Sequence, residues 1–338
     1  MAFLVLGVLL FLATATDIIK TTLSTRGGGM LTNGLTRLVW RGFFWASGRR
    51  GESKLLEYAG PCVLVSVLLL WIGCLWFSLF LMLASVPGAV VNSTTNVAAD
   101  LWETLYYAGY TLSTLGIGDF TASGDGWRVL SSAAAFCGLT LITAAITYIV
   151  PVVSAANLQY QLSLLITSMG RTPQEIVVNS WNGSDFSSFY DNASDIRQML
   201  VAHTLNHHAY PVIRCFHDSQ AEKNVIPAIA TLGEVLRLLS CVKDEVPQDR
   251  LKRKMLLDAL DQHLEMQQAN YLTRLHPEHK PAIADLTSLS AAGIPLKDDE
   301  ETLADGERRT LLSTMLAADG WRWTSVYGHQ VKQSDRPG

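Results

Sequence analysis

Apolar and polar positions divide the chain into two regimes. From Val129 to Gly170 no residue is charged, whereas from Arg171 onward 18 Lys/Arg and 23 Asp/Glu give an ordinary water-facing mixture. Ahead of this boundary lie two further apolar runs. Residues 3–19 make the first, about 25 Å as a helix, closing with Asp17 and Lys20. Residues 61–86 make the second, 26 residues without a charge, about 39 Å long and able to span a bilayer with tilt. A third opens at Gly126-Trp127-Arg128 and covers 128–160. The pattern predicts a membrane half followed by a soluble half.

The segments between the runs carry opposite charge. Residues 20–54 hold seven Lys/Arg (Lys20, Arg26, Arg37, Arg41, Arg49, Arg50, Lys54) against the single acid Glu52. From Leu55 to Trp127 there is no Lys or Arg, while Asp100, Glu103, Asp119 and Asp125 are present. The positive-inside rule then puts 20–54 in the cytoplasm and the N-terminus outside. Ala13-Thr14-Ala15 has the form of a signal-peptidase site, but no cationic stretch precedes the apolar run. Cleavage would also export the cationic loop, so an uncleaved helix is expected. Within that loop Arg26-Gly27-Gly28-Gly29 reads as a flexible break. Leu31, Leu35, Leu38, Val39, Phe43 and Phe44 then recur at helical spacing beside Trp40, Trp45, Arg37 and Arg41. Two readings stay open for this stretch, a helix lying in the inner membrane interface and a helix packed on the soluble domain.

The uncharged stretch 154–169 extends the third helix below the membrane, and Gly170 ends it. Further on, helices are expected over 185–208, over a segment capped by Asp218-Ser219 and reaching Ser240 with Pro227 as a disturbance, and from Pro247 to about Leu275. Residues 274–281 read as a loop and about 301–316 as another helix. Asp298-Asp299-Glu300-Glu301 reads as a solvated loop and helix start, and 333–338 as a disordered tail. No β-branched alternation appears, so the soluble half is expected to be helical. No Gly-x-Gly-x-x-Gly follows a strand, which excludes a dinucleotide-binding module.

The stretch Thr114-Leu115-Gly116-Ile117-Gly118-Asp119 resembles the selectivity filter of potassium channels: Thr, aliphatic, Gly, aromatic, Gly, Asp. A potassium ion sheds its water only where a ring of oxygens replaces it, and backbone carbonyls of an extended loop supply that ring. Carbonyls aligned in one direction require backbone angles that a Cβ opposes, hence glycine at alternate positions. A Gly-rich surface turn would give the same string, and the flanks decide between the two. The preceding 101–113 form three helical turns, too short to span, in the place of the family's pore helix. Its C-terminal end would carry negative partial charge towards a cation. Tyr106 and Tyr107 match the aromatic pair behind the filter in simple potassium channels. Tyr110 stands four residues before Thr114, with Asp119 as a possible partner. Gly138 follows Gly118 by 20 residues, the spacing of the family's hinge glycine. Hinge and close helix packing both remain open for it. Thr140, Thr143 and Thr147 either face a wet cavity or bond back to their own helix. Pro151 either kinks the inner helix at a gate or ends the span. Ile117 departs from the family's aromatic residue, which puts the rigidity of the filter in doubt.

The resemblance covers about 61–155. It implies an all-α membrane protein of the prokaryotic two-transmembrane, pore-loop type with an extra N-terminal helix, a tetrameric pore-loop ion channel architecture and a helical cytoplasmic C-terminal domain. The expected parts are 1–54, an N-terminal helix with the interfacial helix; 55–160, a pore domain of outer helix 61–86, pore helix 101–113, filter 114–119 and inner helix 128–160; and 161–338, the cytoplasmic domain. One pore loop per chain implies a homotetramer in the cell membrane. It argues against a transporter with four loops in one chain. The implied function is passive potassium flow, with no catalysis and no cofactor beyond the permeant ion. Its rivals are a weakly selective cation channel, and a membrane sensor with a degenerate pore whose cytoplasmic domain binds a ligand or partner. The net charge of −4 gives no nucleic-acid footprint. Five cysteines without CxxC spacing read as buried free thiols. His203 and His207, an i, i+4 pair beside His208, have the spacing of a metal site or pH sensor, although such clusters are commonly surface polarity or satisfied core.

Overall fold

The computed structural model describes residues 1–23, 27–269, 285–297 and 306–328. Its elements are α1 (Ala2–Leu23), α2 (Met30–Ala46), α3 (Ala59–Leu83), β1 (Val90–Asn92), α4 (Leu101–Leu112), β2 (Phe120–Ala122), α5 (Asp125–Thr147), α6 (Ile149–Ser168), α7 (Pro173–Ser180), α8 (Ser187–Ala209), α9 (Val225–Ser240), α10 (Arg250–Gln267), α11 (Thr287–Ala291), α12 (Glu307–Ala318) and α13 (Thr324–Tyr327). Among the described residues three stretches are long and apolar enough to cross a membrane: Ala2–Leu23, Lys54–Leu83 and Asp125–Ser168. The chain is an all-α membrane protein, with two three-residue strands among the described residues. It folds as two compact units. One comprises 1–40, 61–153 and 209–212; the other comprises 41–60, 154–208 and the described residues from 213 onward.

In the first unit α1 lies against α3. A Cβ on Gly7 would stand 2.7 Å from the Ser78 carbonyl oxygen, so the two backbones meet without intervening side chains. Near the other end of α1 the buried Asp17 carboxylate takes up four donors. They are the amides of Leu31 (2.8 Å) and Thr32 (3.2 Å), the Thr32 hydroxyl (2.6 Å) and the Trp71 indole N–H (3.0 Å). A residue of α1 thus caps the N-terminus of α2, where amide groups lack helical partners, and holds α3 as well. A buried carboxylate is costly unless its lone pairs are met, and here they are. The Thr21 hydroxyl accepts from the Gly29 amide at 2.8 Å and completes the junction.

The inner helix is interrupted at Tyr148, which caps α5 before α6 begins. Pro151 explains the position. It cannot donate to the carbonyl four residues earlier, Thr147, and its ring crowds that carbonyl. Thr140, Thr143 and Thr147 donate to the carbonyls of Phe136, Leu139 and Ala144, the back-bonding alternative.

The second unit is helical, with α9 almost wholly buried at its centre against α7, α10, α12 and α13. Glu234, in the middle of α9, is fully buried. It pairs with Arg309 at 2.8 Å and Arg237 at 2.8 Å and accepts from the Tyr327 hydroxyl. Arg309 also sits over the Trp323 ring, 5.3 Å from its centroid.

Several helix starts differ from those expected. Asn224 caps α9, its side chain accepting from the Ile226 amide, while Asp218 closes only a local turn onto Gln220. Pro227 therefore falls in the first turn of α9, where its missing N–H costs nothing. Asp249 caps α10 through the Lys252 amide, so Pro247 precedes that helix. Thr172 caps α7, an additional helix. The expected extension of α10 towards Leu275, the loop 274–281, the acidic run 298–301, the first residues of the helix placed at 301–316 and the tail 333–338 lie outside the described residues. All five cysteines are free, but Cys62 and Cys137 are exposed, whereas only Cys215 and Cys241 are buried. Those two exposed thiols lie on α3 and α5, helices whose apolar surface suits lipid.

Candidate functional site

The pore loop is bracketed by a two-stranded antiparallel pair in which Val90 faces Ala122, Val91 Thr121 and Asn92 Phe120. Inside the bracket, α4 begins with a reciprocal cap. The Asp100 carboxylate accepts from the Glu103 amide at 2.8 Å, and the Glu103 carboxylate accepts from the Asp100 amide at 2.8 Å. Two acids at the positive end of the helix dipole strengthen it. At the other end the amides of Ser113, Thr114 and Leu115 bond to the carbonyls of Gly109, Thr111 and Tyr110.

Residues 114–118 follow directly. Thr114, Gly116 and Gly118 have φ of 60°, 58° and 89°. Positive φ thus occurs at every second residue. Such alternation is the backbone pattern that a run of carbonyls turned one way requires. Glycine takes it freely, but Thr114 is β-branched, and holding it there costs about 1–3 kcal/mol. The hydrogen bond from its amide to Thr111 forms part of the surroundings that impose that conformation. Leu115 and Ile117 are 67% and 53% exposed on this chain. A concavity of about 570 Å³ opens beside the loop, lined by Tyr107, Tyr110, Thr114, Gly116, Gly118 and Arg128 among others.

The three tyrosines form one cluster. Tyr110 meets Tyr106 and Tyr107 edge to face with centroids 5.1 and 5.2 Å away, and Tyr106 also meets Phe120. Their hydroxyls have separate tasks. Tyr107 donates to Ser131 Oγ at 2.9 Å, tying α4 to α5. Tyr110 donates to the Phe120 carbonyl, one residue beyond the Asp119 expected as its partner. Tyr106 faces the Asp119 carboxylate instead. Asp119 Oδ1 also accepts from the Phe120 amide at 3.0 Å, and its carbonyl accepts from Ser93. Sequence spacing missed one further tie and left the packing at Gly138 open. The Trp76 indole on α3 donates to the Leu105 carbonyl at 2.8 Å. At Gly138 a Cβ would stand 2.5 Å from the Leu112 carbonyl oxygen, so α5 packs closely on the end of α4 there.

Pro151 is far along the chain from this cluster, at the interruption already described. His203 and His207 belong to the second unit and are buried. His263 of α10 joins them, with ring centroids 5.8 Å apart for His203–His207 and 5.3 Å for His203–His263. The pair is therefore core, not surface. No group of three His, Cys, Asp or Glu side chains arranged to hold a metal occurs among the described residues.

Comparison with known proteins agrees with this geometry. A family model described as "Ion channel" matches residues 65–155, the span that contains the bracket, the tyrosine cluster and the alternating backbone. The "Uncharacterized membrane protein YdjJ" of Bacillus subtilis (strain 168) is 30% identical over 335 residues, covering 95% of this chain and 95% of that protein. No solved structure gives a significant match. With a channel domain that takes in α3, α4 and α5 and a relative that spans nearly its whole length, the chain belongs to the ion channel family of the two-transmembrane, pore-loop type, and carries a further apolar helix at its N-terminus.

Proposed function

We propose that the protein is a potassium-selective channel. Four copies surround a central axis in the cell membrane, and potassium flows passively through the ring of Thr114–Gly118 loops. The observation that carries this reading is the alternation of positive φ at 114, 116 and 118. It aligns backbone oxygens at the end of a short helix whose dipole favours a cation. The acids of the surrounding loop add local cation concentration. One observation favours a weakly selective cation channel as the second reading. Ile117 has no hydroxyl to tie the loop to the aromatics behind it. Reconstituted protein in mixed potassium and sodium should give a reversal potential close to that of potassium. A reversal potential indifferent to which cation is present would replace the potassium reading with the second one.

The same proposal has the N-terminus outside, with 20–54 and 154–338 in the cytoplasm, on the strength of the cationic loop. In a background lacking the native cysteines, a membrane-impermeant thiol reagent added from outside should label a cysteine at Thr95 and miss one at Ser53. The opposite labelling would invert the topology.

A further inference from the structure

Within the second unit, the chain from Gly51 to Gly60 leads into the first turn of α3 and lies against the segment 213–219. Phe216, His217 and Ser219 of that segment meet Gly60, Gly51 and Glu57. A Cβ on Gly60 would stand 2.7 Å from the Phe216 ring. The Gly51 carbonyl accepts from His217 Nε2 at 2.6 Å, and the Glu57 carboxylate accepts from the Ser219 hydroxyl. A carbonyl only accepts, so Nε2 is a protonated nitrogen of the His217 ring. Gly51 is held from the C-terminal side as well. Its amide donates to the Gly320 carbonyl at 2.9 Å, and a Cβ there would stand 2.7 Å from the Trp321 ring. Because Gly60 belongs to α3, the fastening reaches the outer helix itself.

The same segment is fastened to α6. The buried Gln159 donates through Nε2 to the carbonyls of Ile213 at 3.3 Å and Phe216 at 3.0 Å. Both amide protons of this side chain go to one turn, which the Phe216 amide closes by donating to the Ile213 carbonyl. The core holds the segment from a third side. Asn224 Nδ2 donates to the Asp218 carbonyl at 3.2 Å, while its Oδ1 caps α9 through the Ile226 amide. Phe216 therefore has its carbonyl on α6 and its ring on α3, and the chain around it is anchored to α9. All of these residues belong to the second unit. Simple packing of a linker on a core would account for the ring contact at Gly60. It would not account for the paired hydrogen bonds that α6 directs at the same turn.

We infer that Phe216 is a coupling residue: through it the segment 213–219 holds the start of the outer helix α3 to α6, and the soluble helices act on both at this one point. The start of α3 and α6 can move apart there only if Gly60 or Gln159 releases the segment. The consequence for conduction rests on the channel reading given above. α6 follows α5, which packs on the end of α4 at Gly138. A change at Phe216 therefore reaches the channel domain along two helices at once.

The test uses the full-length protein in detergent micelles under limited trypsin digestion. Between Gly51 and Gly60 the trypsin site is Lys54, which is exposed. Cleavage requires the chain around it to open, and its rate follows the open population. Gln159→Leu lies on α6, yet it should raise cleavage at Lys54 about tenfold, because Phe216 loses an anchor. Gln161→Leu, at an exposed position of the same helix, should leave the rate unchanged. Gly60→Ala should raise it too, by pushing the Phe216 ring away. Both changes act through one residue, so together they should give less than the product of their separate effects. Arg309 is buried in the core, and its protection shows that the unit stays folded. Where Gln159→Leu exposes Arg309, the milder Gln159→Asn takes its place. Unchanged cleavage at Lys54 in the folded Gln159 variant would overturn the inference, as would two effects that simply multiply. In liposomes Phe216→Leu should change potassium efflux about threefold or more, with the reversal potential unmoved. Wild-type efflux in that variant, with Lys54 freed, would overturn the role in conduction. A protein that conducts nothing would refute the channel reading, and digestion would still decide the coupling.

Discussion

Alanine in place of Gly118 or of Gly116 is expected to abolish potassium flux in reconstituted liposomes, while the protein still folds and assembles. Both residues have positive φ, and a Cβ at either would meet no atom within 4 Å on its own chain. Space is therefore not what forbids the substitution; backbone conformation is. A Cβ opposes the left-handed region by about 1–2 kcal/mol per residue. In the proposed ring of four identical loops the penalty would count four times, about 4–8 kcal/mol. Where the conducting and collapsed forms of such a loop differ by less than this, the conducting form is emptied. The helices around the loop do not depend on either glycine, so size-exclusion elution and helical content should match the wild type. Normal potassium flux through both variants would refute the filter assignment.

Lowering the pH from 8 to 5 is expected to destabilise the second unit by several kcal/mol. Burial holds His203, His207 and His263 neutral. The pKa of His203 is pushed down to about 4, and those of His207 and His263 well below the usual range. The neighbours act in the same direction. His203 and His263 face His207, and Arg214, paired with Asp319 at 3.5 Å, faces it from the segment that follows α8. The Thr204 hydroxyl shares a hydrogen bond with Nδ1 of His263 at 2.9 Å. Neither ring nitrogen of His203 has a hydrogen-bond partner among the described residues. In the unfolded chain a histidine takes its proton near pH 6.5. Below that value the unfolded state binds more protons than the folded one, so stability falls with pH. For His203 the loss begins near pH 6.5, grows until about pH 4 and totals about 3 kcal/mol. His207 and His263 add to it with the same sign. Whole-domain stabilities are about 5–15 kcal/mol, so the thermal midpoint of the soluble helices should drop steeply between pH 7.5 and pH 5. His203→Gln should lessen that dependence by the His203 share, because glutamine cannot take the proton. A midpoint independent of pH over this range would mean that the rings are not held neutral in the fold.

Some of this was legible in the sequence and some was not, for definable reasons. The membrane helices announce themselves because a span excludes charge over some twenty residues, and 61–86 and 129–160 do so without interruption. Their ends are less well marked, since α3 begins at Ala59 and stops at Leu83. Positive φ at Gly116 and Gly118 could be anticipated because glycine is the residue that tolerates it, whereas Thr114 gave no such sign. Asp17 read as the polar end of an apolar run. Its partners lie 14, 15 and 54 residues away, and no local pattern announces a cap supplied by another helix. His203 and His207 share a helix face and could be paired by spacing, but His263 reaches them through the packing of α10 on α8. The cap of α9 was misplaced because Asp218 and Asn224 are equally good caps in isolation. The intervening turns decide between them.

The short strand pair has a mechanical consequence. Only a turn separates the C-terminal end of α3 from β1, and β1 is hydrogen-bonded to β2, which begins one residue after Asp119. Ser93, next to β1, donates directly to the Asp119 carbonyl through its amide at 2.9 Å and its hydroxyl at 3.0 Å. The two strands therefore act as a stiff hinge pin across the mouth of the loop. A tilt of α3 in response to bilayer thickness or lateral tension would pull on Asp119 without passing through α5. The Gly118 end of the 114–118 loop thus has its own linkage to α3, separate from any linkage through the interruption at Tyr148.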